Sequence, residues 1–182
     1  ILLLVLLLST YKTFGMDGFK EFVKFNERCF ARLLGDMRSY NFVVDITPDI
    51  EDYQYRLRAI DFDQQSYEGK KNLYLPQFYR ENYEYVELVL KILSPEVIEQ
   101  YQVEEQTAMA YRALTGRKQL LELLNIMIKD ELSEFHKIKM LREELNEHFN
   151  NKYFSKCSTM GSIVMRQLKL VLQKHLQQII PS

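Results

Sequence analysis

The sequence predicts a mainly α-helical protein with one β-hairpin, and two patterns indicate this fold class. Apolar residues recur every three or four positions along most of the chain, which is typical of helices with one buried face. Only residues 42–62 combine β-branched residues, strict alternation and a turn. The 182 residues include six Gly and four Pro, which suits a helix-rich chain. This length allows one domain with a sizeable core, or two small lobes.

Two helices are predicted first. Residues 1–10 begin with ILLLVLLL, which is too short to cross a bilayer because a membrane helix needs about 20 apolar residues. The segment also lacks the basic start and the cleavage site of a signal peptide. We therefore expect no membrane association and a buried helix that starts upstream, in a longer protein. A second helix is predicted over residues 16–33, with Asp17 as a candidate N-cap and Gly35 at its end.

A hairpin is predicted next, with residues 42–46 paired to residues 53–62. NFVVDI is short, apolar and β-branched, and TPDIED is typical of a turn. The second strand alternates polar and apolar residues, and its apolar face is formed by Tyr53, Tyr55, Leu57 and Ala59. An isolated hairpin is only marginally stable, so we expect this one to pack against the helices.

The remainder is predicted to be a loop followed by helices. After a loop over 64–77, the spacing of apolar residues predicts helices over 78–93, 95–114, 117–129, 131–149 and 158–178. Ser94 is the expected N-cap of the second of these, with a proline at its first position. The fourth carries an apolar stripe that should face a core or a neighbouring helix, formed by Leu132, Phe135, Ile138, Leu141, Leu145 and Phe149.

We expect residues 1–182 to form a single domain, with a loop-and-hairpin region over 1–75 and a helical region over 76–182. No internal repeat and no long linker marks a boundary. Cys29 and Cys157 stand far apart and outside any C-x-x-C motif, which indicates a reduced, cytoplasmic protein. The net charge of −1 argues against nucleic acid as a partner. After Glu147 the chain has five Lys and Arg and no acidic residue, which favours either the solvated face of a last helix or a contact with an anionic partner.

Short polar residues mark the two ends of the predicted hairpin. Asp36 follows a glycine, Asn41 lies five positions later, and Asp61 and Asp63 close the hairpin within IDFD. Phosphoryl transfer needs a carboxylate at the attacking hydroxyl and oxygen ligands for a divalent cation. Because a hairpin brings its two ends together, we expect these side chains to converge. Each of them alone would also suit a turn or a solvated strand end.

Residues 33–64 resemble the catalytic and metal-binding segment of the kinase-like superfamily that includes aminoglycoside and choline/homoserine kinases. That segment has the pattern H-G-D-x-x-x-x-N, then a hairpin, then I-D-[FW]-[DE]. The resemblance implies that Asp36 is the catalytic base, that Asn41 and Asp61 bind Mg²⁺, and that Asp63 assists. It implies Mg²⁺ and ATP as cofactors, and it identifies the helical remainder as similar to the C-terminal lobe of these enzymes. Arg38 is near enough in sequence to contact phosphate, as is the Lys70-Lys71 pair, although solvated loop charges would look the same.

Three features depart from the family pattern. The histidine of the motif falls at Leu34, and the hairpin turn is longer than is common. The glycine-rich loop, the strand lysine and the helix glutamate that anchor ATP lie on an N-terminal lobe in the family, and this chain does not contain them. Either that lobe lies upstream of this sequence, or the site cannot bind ATP in the usual way.

Two functions are therefore predicted. The first is an ATP- and Mg²⁺-dependent phosphotransferase that acts on a hydroxyl of a small molecule or protein, so that its partners are a nucleotide and a hydroxyl substrate. The alternative is a non-catalytic helical module that binds a protein partner through helices 131–149 and 158–178.

Overall fold

The computed structural model describes residues 11–49, 53–129 and 133–179. Within them, six α-helices and one two-stranded antiparallel sheet confirm the predicted fold class. The elements are α1 (Tyr11–Arg32), β1 (Phe42–Pro48), β2 (Tyr53–Ala59), α2 (Tyr83–Ile92), α3 (Pro95–Thr115), α4 (Arg117–Lys129), α5 (Phe135–His148) and α6 (Met160–Ile179). The helix predicted over residues 1–10 lies outside the described residues.

Two predicted boundaries are wrong. Helix α1 already includes Tyr11, so Asp17 lies inside the helix and is not its N-cap. A glycine in a helix interior costs only about 1 kcal/mol relative to alanine, so Gly15 does not break α1. The helix predicted over 78–93 begins at Tyr83, because residues 71–82 form three short 3₁₀ turns instead. The N-cap of α3 is confirmed, since Ser94 Oγ accepts a hydrogen bond from Val97 N.

The hairpin pairs Phe42 with Ala59 at one end and Pro48 with Tyr53 at the other. It lies on α1, and two side chains of that helix hold the main chain of Leu57. Glu21 Oε1 accepts a hydrogen bond from Leu57 N at 3.1 Å, and Arg28 Nη2 donates one to Leu57 O at 3.0 Å. The buried end of the hairpin is therefore fixed to α1 by polar bonds as well as by packing, as its predicted marginal stability requires.

The first of two main cores, here named the hairpin core, lies between α1, the hairpin, α2 and the start of α3. Its buried residues include Phe22, Phe25, Leu34, Met37, Phe42, Leu57, Tyr85 and Val89. The second, here named the C-terminal core, lies between the end of α1, the 3₁₀ turn at 71–74, α4, α5 and α6. Its buried residues include Phe30, Leu33, Tyr74, Leu141, Leu145, Phe154 and Ile163.

The apolar stripe of the predicted helix 131–149 belongs to the C-terminal core. Ile138, Leu141 and Leu145 are buried there, so these residues are not available as a partner surface, contrary to the alternative function. Phe135 is exposed, and Leu132 lies outside the described residues. On α6 the basic side chains Arg166, Lys169 and Lys174 face solvent. None of the helices in the described ranges combines the length and the apolar composition that a membrane crossing needs.

Both cysteines are buried and free. Burial raises the pKa of the Cys29 thiol to about 12, so this thiol stays protonated and unreactive at neutral pH. Cys157 packs in the C-terminal core. The two residues therefore act as small core side chains.

Candidate functional site

The chain enters the candidate site through two adjacent leucines that point into different cores. Leu33 is buried in the C-terminal core and Leu34 in the hairpin core, and neither is exposed. Leu33 has a φ of 51°, in the left-handed region, and Leu34 N donates a hydrogen bond to Cys29 O at 2.9 Å. A left-handed residue commonly ends a helix. Leu33, not Gly35, therefore ends α1, and the motif position that holds histidine in the family here holds a core leucine.

The segments before and after the hairpin, residues 33–35 and 64–66, meet next to the candidate site, and this meeting point is here named the crossing. Leu34 forms an antiparallel bridge with Gln65, Gly35 N donates to Gln64 O at 3.2 Å, and Ser66 N donates to Leu33 O at 2.8 Å. A Cβ on Gly35 would lie 3.0 Å from Gln64 O, so this close crossing explains the glycine better than helix termination does. Because of the crossing, the loop after Gly35 and the loop before Gln64 lie side by side.

Asp36 and Asn41 are held together by hydrogen bonds. Asn41 Nδ2 donates to Asp36 O at 2.7 Å and to Asp36 Oδ2 at 3.2 Å. Asn41 O accepts a hydrogen bond from Ile60 N at 3.0 Å, which ties Asn41 to the end of the hairpin. Since both of these side-chain bonds use the amide nitrogen of Asn41, its Oδ1 is the atom that can face a cation.

Asp61 and Asp63 form a pair of carboxyl groups. The hydrogen bond between the two side chains lowers the pKa of Asp61 and raises the pKa of Asp63. The negative charges of Asp61 and Asp36 raise the pKa of Asp63 further, and Asp63 N donates to Asp61 Oδ1 at 3.1 Å. Such a pair shares one proton more readily than two isolated carboxyl groups do. Asp36 is therefore close enough for its negative charge to act on Asp63.

Arg38 is at the site, but it pairs with the candidate base. Its Nε lies 2.8 Å from Asp36 Oδ1, and its Nη1 donates to Tyr40 Oη at 3.0 Å and lies 3.7 Å from Glu81 Oε1. The hydrogen bond with Tyr40, followed by the charge of Asp36, raises the pKa of the guanidinium group. Lys71 lies elsewhere, since its N donates to Glu144 Oε2 on α5 and its charge adds to burial in lowering the pKa of His148.

Tyr79 and Asn82 support the loop through its main chain, a role that the sequence did not indicate. Asp36 N donates to Tyr79 Oη at 2.9 Å, and Tyr79 Oη donates to Leu73 O at 2.7 Å. Asn82 Nδ2 donates to Met37 O at 2.9 Å and to Pro76 O at 2.7 Å. Both residues lie in the region that the apolar spacing assigned to a helix, so their loop contacts gave no signal in the sequence.

Apolar side chains beside the carboxylates are open to solvent. Ile60 and Phe62, which flank Asp61, are 51% and 54% exposed, and Tyr40 is exposed as well. A separate open groove of about 310 Å³ lies between α1 and β2, lined by Asp17, Lys20, Glu21, Tyr53, Gln54 and Tyr55. No residue of the predicted motif lines that groove.

The candidate site offers oxygen ligands, which are the type that Mg²⁺ prefers. Across residues 11–49, 53–129 and 133–179, no three His, Cys, Asp or Glu side chains are grouped so that they could hold a metal ion. Protein sites for Mg²⁺ usually supply only one or two carboxylates and leave the other positions to water and phosphate. Asn41, Asp61 and Asp63 carry oxygen atoms of that type, and the main-chain bond from Ile60 N to Asn41 O joins the two segments that carry them.

Comparison with known proteins finds no family model, no curated protein and no solved structure that matches the chain. What the site can do must therefore be judged from its own residues.

Proposed function

We propose that the chain is the C-terminal lobe of a kinase-like phosphotransferase, similar to the aminoglycoside and choline kinases, that transfers a phosphoryl group from ATP to a hydroxyl. The bridge between Leu34 and Gln65 is the observation that supports this most strongly. Because of this bridge, the loop of Asp36 and Asn41 lies beside the loop of Asp61 and Asp63. The motif needs these two loops to be adjacent.

In this proposal Asp36 orients the attacking hydroxyl and accepts its proton. Asp36 Oδ1 pairs with Arg38 and Oδ2 with Asn41. Each oxygen keeps a lone pair that can accept the proton, and release of one partner would open the carboxylate further to a substrate hydroxyl. Arg38 is the partner that can leave, because it is half-exposed and has Tyr40 and Glu81 as other partners. A phosphate group at the site would attract the guanidinium group away from Asp36 by charge-assisted hydrogen bonds.

Asn41 Oδ1 and the Asp61 carboxylate would hold Mg²⁺, with Asp63 beside them. Held there, Mg²⁺ would supply charge neutralisation for the phosphate oxygens of ATP. Asn41 contributes a second effect, since its hydrogen bonds to Asp36 couple the cation ligand to the base. The exposed Ile60 and Phe62 would provide apolar contacts for a bound substrate at the same edge of the site.

Titration of the chain with Mn²⁺, followed by electron paramagnetic resonance with and without ATP, tests this proposal. We expect one weak Mn²⁺ site that ATP strengthens, and we expect D61N to remove it. The matched control is D45N, because Asp45 is another exposed hairpin carboxylate, but it pairs with Arg58. Equal Mn²⁺ binding by wild type and D61N would contradict the proposal, as would no Mn²⁺ binding by the wild type.

A second test addresses the role of Asp36. If a substrate hydroxyl is identified, D36N should abolish phosphoryl transfer while it leaves Mn²⁺ binding within about tenfold of the wild type, because general-base catalysis contributes about 10²- to 10⁴-fold to a rate. Full activity of D36N would show that Asp36 is not the base.

A further inference from the structure

We propose that Tyr79 is a positioning residue for Asp36, and that Asn82 supports the same loop. Both residues act on main-chain atoms of the loop and touch neither of the side-chain oxygens of Asp36. The inference rests on the proposed function of Asp36, and it adds a second segment, residues 71–82, to the parts of the chain on which that function depends.

The main chain of Asp36 is in a conformation that needs support. Its φ of 55° lies in the left-handed region, which aspartate adopts more readily than most residues other than glycine but still at a cost. Asp36 N is held by Tyr79 Oη, and Asp36 O is held by Asn41 Nδ2. The two bonds hold the peptide unit before Asp36 and the peptide unit after it, and so they set the direction of its side chain.

The hydroxyl of Tyr79 is suited to this role. It accepts a hydrogen bond from Asp36 N and donates its single proton to Leu73 O, so the hydroxyl acts both as an acceptor and as a donor. Tyr79 is largely buried, and burial raises its pKa to about 12. The hydroxyl therefore stays protonated at neutral pH, and the link from Leu73 through Tyr79 to Asp36 stays intact. The ring centroid of Tyr79 lies 5.7 Å from Arg38 Cζ, so the same side chain also contacts the partner of Asp36.

Asn82 ties the loop to the turn that carries Tyr79. Its side chain is almost completely buried, and its amide nitrogen donates to Met37 O and to Pro76 O. Met37 is the residue after Asp36, and Pro76 begins the 3₁₀ turn that precedes Tyr79. Loss of either bond would let the loop move relative to the segment that supports it.

The experiment compares Y79F with Y74F in the full 182-residue chain. Tyr74 is the matched control, because it is also a buried tyrosine whose hydroxyl donates to a main-chain oxygen, that of Glu68, but it makes no bond to the loop. Hydrogen exchange of the Asp36 amide reports directly on the bond to Tyr79. We expect this exchange to be about fivefold faster or more in Y79F, which corresponds to one lost hydrogen bond, and unchanged relative to the wild type in Y74F after correction for global stability.

Mn²⁺ affinity gives the functional readout. Because Asn41 bonds to Asp36, we expect the Mn²⁺ Kd to rise about fivefold in Y79F, again the effect of one hydrogen bond, and to be unchanged in Y74F. With a hydroxyl substrate, Y79F should lower kcat more than it raises KM for that substrate.

The outcomes separate this inference from the proposed function. If the Asp36 amide exchanges at the same corrected rate in Y79F and Y74F, Tyr79 does not position Asp36 and the inference is overturned. An unchanged Mn²⁺ Kd in Y79F, with faster exchange, would overturn the functional part. If the wild type binds no Mn²⁺, the proposed function fails and so does a catalytic meaning for Tyr79, whereas the exchange rates still decide whether Tyr79 holds the loop.

Discussion

The two cores of the molecule differ in composition and in what they contribute to the candidate site. The hairpin core is rich in aromatic rings, with Phe22 and Tyr85 in edge contact at 4.9 Å and Phe25 and Phe42 at 5.0 Å between centroids. It lies under the hairpin whose ends provide Asn41 and Asp61. The C-terminal core also contains ring contacts, such as Phe149 with Phe154 at 5.8 Å between centroids, but it is formed mainly by helices that contribute no proposed ligand.

The segment 71–82 connects the two cores. It starts in the C-terminal core with Tyr74, and it ends beside the hairpin core, where α2 begins. Between these points Tyr79 and Asn82 bind the loop of Asp36. The hairpin core therefore underlies the candidate ligands, and the segment 71–82 supports the loop that carries Asp36. The predictions below test this division of roles.

The largest expected effect comes from a pair of leucine truncations, one in each core. L57A and L145A remove buried side chains and should each lower the free energy of unfolding by about 3 kcal/mol. L57A should also weaken Mn²⁺ binding, because Leu57 lies in the strand that leads to Asp61, whereas L145A should not. Urea denaturation and Mn²⁺ titration measure the two effects. If both variants weaken Mn²⁺ binding equally, the two cores do not have separate roles.

A smaller effect is expected from L34H, which restores the histidine of the family pattern. Leu34 has no exposed surface and packs in the hairpin core. A buried imidazole without a partner should destabilise the fold by about 2 kcal/mol, since the unpaired polar group loses its hydration. L34M, which preserves volume and polarity, is the control. A melting temperature of L34H at or above that of L34M would show that a buried imidazole finds a hydrogen-bond partner at this position.

The smallest effect is a pH dependence of cation binding. The pKa of Asp63 is raised by its hydrogen bond with Asp61 and by neighbouring negative charges, so Asp63 takes up a proton at a higher pH than an isolated aspartate. A proton competes with the cation, so Mn²⁺ affinity should decrease as the pH falls through this raised value. In D63N the decrease in Mn²⁺ affinity should begin at lower pH, because protonation of Asp61 then causes the decrease. Mn²⁺ titrations at a series of pH values measure this, and identical pH profiles for wild type and D63N would count against a role for Asp63.

The sequence was sufficient to predict the hairpin and the closeness of the two segments at its ends. Asp36, Asn41 and Asp61 flank a hairpin with clear alternation, and a hairpin necessarily brings its ends together. Tyr79 and Asn82 could not be found in this way, because they act on main-chain atoms about forty positions earlier and belong to no periodic pattern. The apolar spacing around them suggested a helix, whereas the side-chain bonds of Asn82 and Tyr79 favour short 3₁₀ turns.

The sequence pattern places the end of α1 at the wrong residue, for a related reason. Gly35 is the obvious helix terminator in the sequence, but Leu33 adopts the left-handed conformation and Gly35 is needed where two segments cross. Only the tertiary contacts of Leu33 and Leu34 distinguish the two explanations, since both residues are simply apolar in a sequence pattern.

The opposite directions of Leu33 and Leu34 also restrict how this protein can diverge over time. The segment from Leu33 to Asn41 is fixed at both ends. At its start the two leucines are buried in the two cores, and at its end Asn41 O accepts a hydrogen bond from Ile60 N. One added or deleted residue would turn a leucine out of its core or move Asp36 past Tyr79. We therefore expect natural relatives of this chain to differ in length elsewhere, and to keep the spacing from Leu33 to Asn41 constant even where the residues themselves have changed.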